Sequence, residues 1–375
     1  MQFVIFTHVP HIKQANLYYA YAPYVREMNI WIQNVDDLVI VAPLSSDKKT
    51  EIDGFYINQN TRFREVSNFD ILSLKSIVAT IVKLPKMIWV IYNAMQTADH
   101  IHLRCPGNIG LIACFVQILF PNKPKTAKYA GNWDPNAHQP WTYKLQQKLL
   151  SNTFFTRNMQ VLVYGEWAGM TKNIKPFFTA TYNEEDKKIV TPKVLKGKID
   201  FVFVGALVKG KNPFYAIQLV KSLSEKGCNV SLRLYGEGVL RKELEEYIIE
   251  NVLDSMITLE GNQSKGTVQK AYQESHFVLL PSESEGWPKA IAEGMFWGCV
   301  PIATSVSCVP LMLDNGNRGV LLEMNLKKDT NQLLFLIANQ MDYDLKHINA
   351  VKWSSIYTLD FFKNEIEKLL LLNAK

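Results

Sequence analysis

Two glutamates, Glu285 and Glu293, stand eight residues apart in the stretch HFVLLPSESEGWPKAIAEGMFWGCVPIAT, His276 to Thr304. Between them lies Pro288, which fits the first turn of a helix, where its missing N–H costs nothing. The first turn of a helix offers unpaired N–H groups and a partial positive charge, a ready site for phosphate. Glu285 precedes that turn and Glu293 lies on the helix. A carboxylate repels phosphate but can accept hydrogen bonds from both hydroxyls of a diol. A phosphate site between two diol-binding carboxylates describes a nucleotide sugar: ribose on one side, diphosphate at the helix end, hexose on the other. The plainer alternative makes Glu293 a solvated helix residue and Glu285 a capping group. Spacing alone leaves both open.

The elements that must position these residues are legible around them. His276 to Leu280 is a short apolar run that reads as a buried strand, and Pro281 to Trp287 as a polar loop. Lys289 to Trp297 reads as helix, with Gly298 at its stop, and Cys299 to Thr304 as a second buried strand. Strand, loop, helix, strand is a βαβ unit, so the two strands should be parallel and the crossover right-handed. Upstream, Asp200 to Val204 reads as strand with Gly205 at its end, and Lys211 precedes a helix from Pro213 to Lys226. A lysine at a strand-to-helix turn suits a diphosphate oxygen, or is a solvated turn residue. Val230 to Tyr235 is a strand followed by the turn Gly236-Glu237-Gly238, which lacks the third glycine of a dinucleotide fingerprint. A helix, Arg241 to Glu250, a strand, Met256 to Glu260, and a short helix, Thr267 to Glu274, complete the run.

The segment PSESEGWPKAIAEGM, Pro281 to Met295, is similar to the E-x7-E signature of the GT-B retaining glycosyltransferases, the group 1 or family 4 class. The likeness extends outward over roughly residues 200–325: FVFVGALVKGKNP resembles that family's first strand and phosphate-binding lysine, LRLYGEG its next strand and turn, and LEGN the one after. The resemblance implies two Rossmann-like α/β domains facing across a cleft, the GT-B fold, with the last helix crossing back onto the first domain. It implies a donor site of Gly205, Lys209, Lys211, Asn262, Glu285 and Gly286, continued by Trp287, Pro288, Lys289 and Glu293. In it Glu285 would hold the hexose hydroxyls and Glu293 the ribose. Transfer would retain configuration through an oxocarbenium-like state. Lys211 and the helix end before Lys289 would stabilise the leaving diphosphate, which itself takes the acceptor's proton. No cofactor or metal is implied beyond the nucleotide-diphosphate sugar as co-substrate. The sequence departs from the family in four places. Ala206 stands where an arginine is common, and Ser305-Val306-Ser307 where a glycine pair follows Thr304. No Gly-Gly follows the first strand of the chain, and Gly131-Asn132 stands where a histidine is frequent.

The first half reads as a second α/β doubly wound sheet, whose ligands lie beyond the carboxyl ends of its strands. Gln2 to Thr7 and Asp37 to Pro43 read as strands, with a helix over Tyr18 to Asn29 between them. His8, His11 and Lys13 would then lie at the sheet edge, and the two histidines are candidate acceptor ligands. Asp99 to Arg104, Thr126 to Tyr129 and Met159 to Tyr164 are further strands. Arg104 can pair with a phosphate or carboxylate, Asn132 and Asp134 can bond sugar hydroxyls, and Trp133 can cover an apolar sugar face. Asp134 is also the candidate catalytic group of this half; its alternative is a glycine–aspartate turn. Domain limits fall at 1–178 for the acceptor domain and 179–352 for the donor domain, with a returning helix over 353–375, read as one helix from Ser354 to Leu372.

Composition bounds the partners. The chain has 375 residues, 47% hydrophobic and 20% charged, an ordinary globular balance for two domains. Its formal charge of +6 is uneven: residues 1–178 hold 18 Lys/Arg and 11 Asp/Glu, the remainder 23 and 24. The basic half suits an anionic bilayer or a phosphorylated acceptor, or is a mildly basic solvated surface. The helical stretch Ile77 to Met95, with Lys83 and Lys86, either lies on a membrane or covers the sheet. No dense basic cluster argues for nucleic acid. No run reaches membrane-spanning length, the N-terminus shows no signal peptide, and five scattered cysteines read as reduced thiols. The expectation is a bacterial, cytoplasmic enzyme, at most peripheral at the inner membrane face. It would move a hexose from a UDP- or GDP-linked donor to a glycan or lipid-linked acceptor in envelope polysaccharide biosynthesis. Two rivals keep the fold: a nucleotide-sugar epimerase, and a non-catalytic binding subunit.

Overall fold

The computed structural model describes residues 1–50, 52–68 and 74–372. The chain divides into two compact units, Met1–Phe177 with Lys363–Lys375, and Phe178–Phe362. Residues 373–375, the end of the expected returning segment, lie outside the described residues.

In the first unit the strands are β1 (Gln2–Phe6), β2 (His11–Gln14), β3 (Leu17–Tyr21), β4 (Asp37–Ala42), β5 (Leu44–Ser45), β6 (Asp53–Phe55), β7 (Thr61–Glu65), β8 (His100–Cys105), β9 (Lys125–Tyr129), β10 (Met159–Tyr164) and β11 (Ile174–Phe177). Its helices are α1 (Ala22–Trp31), α2 (Leu74–Thr97), α3 (Asn108–Val116) and α4 (Trp141–Leu150). Seven strands form one sheet in the order β11-β10-β9-β8-β1-β4-β7, parallel throughout. β1 and β4 are almost wholly buried, because helices cover both faces of a parallel sheet and leave no solvated side for alternation. The strand order reverses between β1 and β8, so the loops after those strands open the crevice where such folds bind ligands.

A second, four-stranded sheet, β5-β2-β3-β6, was not expected. β2 and β3 form an antiparallel hairpin, Ile12 facing Tyr19 and Gln14 facing Leu17. The expected helix from Tyr18 therefore begins later, at Ala22, with Pro23 in its first turn. Tyr18, Tyr19 and Tyr21 favour the pleated surface, and proline closes the strand by fitting the helix start.

The face of the first sheet toward α1 holds neutral histidines. His100 Nε2 and His102 Nδ1 both share Thr126 Oγ1, at 2.9 and 2.8 Å. Burial lowers His100 to a pKa of about 3 and His11 to about 4, both below the ordinary 6.5. The unfolded chain therefore binds protons that the folded chain refuses as pH falls below about 6.5. Stability is complete above that value and drains away down to the folded values, by about 1.4 kcal/mol per pH unit for each histidine. Urea unfolding at pH 5 is expected to give a stability about 4 kcal/mol lower than at pH 7. Equal stabilities at the two pH values would show that these rings are protonated in the fold.

The second unit begins with a connecting stretch and then runs β12 (Ile199–Val204), α5 (Pro213–Glu225), β13 (Val230–Tyr235), α6 (Arg241–Glu250), β14 (Ile257–Gly261), α7 (Lys265–Glu274), β15 (Phe277–Leu280), α8 (Lys289–Phe296), β16 (Val300–Thr304), α9 (Val309–Met312) and β17 (Val320–Leu322). Three helices follow: α10 (Leu326–Ile337), α11 (Gln340–Ser354) and α12 (Leu359–Leu372), of which α12 passes into the first unit's residues from Lys363. All six strands are parallel, in the order β14-β13-β12-β15-β16-β17, so the predicted β15–α8–β16 crossover is present. α8 comes very close to β15: a Cβ on Gly294 would lie 2.6 Å from Val278 Cγ1. The expected single helix from Ser354 is broken, since α11 ends at Ser354 and α12 starts at Leu359. The break is built by an aromatic group. Trp353 stacks on Trp287 at 5.8 Å and meets Tyr357 at 4.6 Å, while Phe178 stacks on Phe361 at 5.1 Å.

Candidate active site

β12 and β15 are neighbours in the sheet, and the loops that leave their carboxyl ends carry Lys211 and Glu285. The two side chains meet: Lys211 Nζ donates to Glu285 Oε1 at 2.5 Å, the carboxylate buried and the lysine less so. The backbone holds the loops in register, with Glu283 N–H donating to the Gly210 carbonyl at 2.9 Å. The loop of Glu285 is also anchored from the far side. Thr304 Oγ1 donates to the Ser282 carbonyl, and Cys308 Sγ to the Gly286 carbonyl at 3.0 Å. Ser307 sits at φ +51°, in the left-handed region that favours glycine, in the stretch where the resemblance led to a glycine pair.

The glycines of the turn after β13 have a steric reason. Gly236 has φ +139°, and a Cβ there would lie 2.0 Å from the Gly205 carbonyl oxygen; one on Gly238 would lie 2.3 Å from that of Leu207. Leu207 N–H donates to the Glu237 carbonyl at 2.9 Å, so the turn clasps the backbone leading to Lys211. Gly-x-Gly here serves backbone approach. Lys209 is exposed on the same short turn as Lys211. Asn262 is exposed beyond β14, two strands from β12 at the sheet edge.

Pro288 is the residue before α8, and Lys289 opens the helix. Glu293 lies one and a half turns further on, and its Oε1 accepts from Thr181 Oγ1 at 2.7 Å. Desolvation raises the pKa of Glu293, against the opposing pull of Thr181, Lys289 and Lys265. Lys265 donates to the Thr181 carbonyl at 3.0 Å and stands 4.7 Å from the Tyr182 ring. The Tyr272 hydroxyl is buried beside Glu293 and makes no hydrogen bond of normal geometry. Thr181, Tyr182, Lys265 and Tyr272 were missed by sequence reasoning: the first two fall in what reads as a connector, and none belongs to a motif. Trp287 turns its ring into the aromatic group of Trp353 and Tyr357, so its contribution is to hold the loop beside Glu285.

In the first unit the candidates separate. His8 follows β1 and packs its ring on Gly107, where a Cβ would lie 2.3 Å from its Nδ1, while the residue stays solvent-exposed. Desolvation, and then Arg104, lower its pKa. His8 thus does stand at the crevice between β1 and β8. His11 does not lie at the edge. It is fully buried in β2, with Nδ1 at 2.8 Å from the Val9 carbonyl and Nε2 at 2.9 Å from the Tyr56 hydroxyl. Arg104 is committed to Glu27 at 2.6 Å, a carboxylate that Lys128 also approaches at 3.1 Å. Arg104 and Lys128 thus share one buried carboxylate, and this ion pair ties Arg104 to the core. Trp133 is 6% exposed and meets Tyr129 edge-on at 4.8 Å, so its face is packed inward. Asn132 Oδ1 accepts from Asp134 N–H, and Asp134 Oδ1 from Asn136 N–H, at 2.9 and 2.8 Å. Those two side chains shape their own turn, as the plainer sequence reading allowed.

The fold is the two-domain α/β type of the GT-B proteins, with parallel sheets in both units. Within the second unit, residues 184–346 match the family model described as glycosyl transferases group 1. An uncharacterized glycosyltransferase of Methanocaldococcus jannaschii is 31% identical over 173 residues, 46% of this chain and 47% of that protein. A Salmonella typhimurium protein, assigned by name alone to colanic acid biosynthesis as the glycosyltransferase WcaL, is 26% identical over 180 residues, 46% of this chain and 44% of its own length. The chain spans about half the length of these curated relatives. Among solved structures, HepE of Anabaena in complex with UDP and glucose superposes with a TM-score of 0.66 at 13% identity, covering 99% of each chain. The likeness to the group 1 glycosyl transferases thus lies in residues 184–346.

Proposed function

We propose that this chain transfers a hexose, with retention of configuration, from a uridine-diphosphate sugar to a glycan or lipid-linked acceptor at the cytoplasmic face of the membrane. The observation that carries this reading is the meeting of Lys211 and Glu285 at adjacent strand ends, directly ahead of the helix that bears Glu293. A lysine and a helix N-terminus side by side suit a diphosphate, and they act where negative charge grows as the sugar leaves. Glu285 takes the hexose hydroxyls and Glu293 the ribose diol. The leaving phosphate accepts the acceptor's proton, so the chemistry calls for neither a protein base nor a metal. The uracil preference is supported by UDP in the HepE structure, and a polysaccharide acceptor by the name of the Salmonella relative.

Thermal unfolding with UDP, GDP, ADP and CMP tests the donor site. A ligand at about a hundred times its dissociation constant stabilises the fold by roughly 2.7 kcal/mol. UDP is expected to shift the wild-type transition and Glu293→Ala to lose the shift, while Glu285→Ala keeps it and slows transfer. Because Glu293 bonds the ribose as a carboxylate and its pKa is raised, UDP affinity should also fall on acidification. A full UDP shift in Glu293→Ala refutes the ribose assignment. Conversion of donor to an epimer without acceptor would refute the transfer.

A further inference from the structure

A crossover between parallel strands ordinarily takes a dozen or more residues, usually as a helix. β10 and β11 are joined by residues 165–173 alone, and that stretch forms no helix. The flank of α4 beside it is left open, as a groove of about 320 Å³ between α4 and the crossover. The volume lies in the range of small-ligand sites.

One wall is apolar and fixed. Trp167 Nε1 donates to the Tyr164 carbonyl at 2.8 Å, and its backbone N–H to Met170 Sδ at 3.2 Å. Both residues line the groove together with Trp133. The opposite wall is α4, which brings Lys144, Gln147 and Lys148. Gln147 Nε2 donates to the Asn132 carbonyl at 3.2 Å, which leaves its Oε1 to accept from a hydroxyl. Lys144 and Lys148 are exposed and pair with no carboxylate among the described residues. They follow Trp141, 66% exposed, at helical spacing, so the three share one face of α4. The local charge is one-sided. Residues 133–176 hold five Lys/Arg and two Asp/Glu, and neither acid, Asp134 or Glu166, lines the groove.

We propose that this groove binds an anionic sugar, a pyranose ring carrying a carboxylate or a phosphate group. The apolar face of the ring packs against the Trp167 indole, and a ring hydroxyl donates to Gln147 Oε1. The negative substituent meets Lys144 and Lys148 at the rim through charge-assisted hydrogen bonds. A bare anion leaves the indole unused, and a neutral sugar leaves both lysines unused. That the sugar belongs to the glycan acceptor rests on the transfer proposed above; the binding itself does not.

The indole N–H resonance of Trp167 in the full chain, assigned by its loss in Trp167→Phe, reads occupancy of the groove. It is expected to move on titration with glucuronate or glucose 6-phosphate. It should stay still with glucose, and with inorganic phosphate at equal ionic strength. A response to one of the two anionic sugars alone identifies the substituent. Lys144→Gln with Lys148→Gln should weaken binding about tenfold, since two charge contacts at an exposed rim are lost. Circular dichroism and the UDP-induced thermal shift should not change, because both side chains are exposed and lie outside the donor unit. A resonance unmoved by both anionic sugars overturns the proposal, as does a double variant that binds like the wild type. Phosphate binding as well as the sugars do would reduce the groove to a bare anion site. Loss of the UDP shift with glucuronate binding intact would refute the donor reading and leave the groove standing.

Discussion

Lys211→Met is expected to lower the turnover of sugar transfer by about a hundred- to a thousandfold, the effect of removing one preorganised donor from a developing oxyanion. The ammonium stands 2.5 Å from Glu285 at the mouth of β12 and β15, with α8 beginning four residues after Glu285. Its charge matters most when the sugar–phosphate bond is breaking, so kcat should fall further than donor KM rises. Two side effects must be separated. Glu285 is buried and loses its partner, which costs stability as well as rate. Lys211→Arg keeps the charge and should recover most of the loss in turnover, and thermal unfolding of Lys211→Met reports the structural share. If Lys211→Met turns over like the wild type, the lysine is a turn residue and the diphosphate lies elsewhere.

Gly236→Ala should be among the most damaging single-methyl additions in the second unit. The residue holds φ +139°, a backbone region essentially reserved for glycine, and the new methyl would come within 2.0 Å of the Gly205 carbonyl oxygen. Neither backbone can yield. Gly205 N–H is bonded to the Tyr235 carbonyl at 2.9 Å and Gly236 N–H to that of Gly261 at 2.8 Å, both at ends of laddered strands. Backbone strain and overpacking together amount to about 3–5 kcal/mol, a large part of a domain's stability. The melting temperature should drop by roughly 10 °C or more. Any folded fraction should bind UDP weakly, because the clasp on the Lys211 loop is displaced. Gly210→Ala is the control: a Cβ there meets nothing within 4 Å, and the transition should hardly move.

Much of the second unit was legible because its physics is local. β15 and β16 are fully buried and read as apolar runs, Gly236 marks the end of β13, and β13 and α6 fall on their expected limits. Lys211 and Glu285 could be paired from sequence only through a family pattern, for they are 74 residues apart. The misses are of the same long-range kind. Arg104 looks like a free anion ligand until Glu27, 77 residues away, reaches it. Thr181 sits in an irregular stretch with no periodicity, yet holds Glu293. The hairpin of β2 and β3 is too short for its alternation to outweigh the helical pattern that follows. The break between α11 and α12 is hidden because the amphipathic pattern runs through it, while the Trp287–Trp353–Tyr357 packing lies at the join and Thr358 Oγ1 accepts from Phe361 N–H at 3.2 Å as α12 begins.

The small sheet β5-β2-β3-β6 bonds its strands to one another and makes no ladder with the seven parallel strands. It also separates β1 from α1, so the strand-to-helix turn that cradles a phosphate in many doubly wound folds is replaced by a hairpin. Residues 13–17 of the hairpin are exposed, so a change of sequence or length there would leave the register of the seven parallel strands untouched.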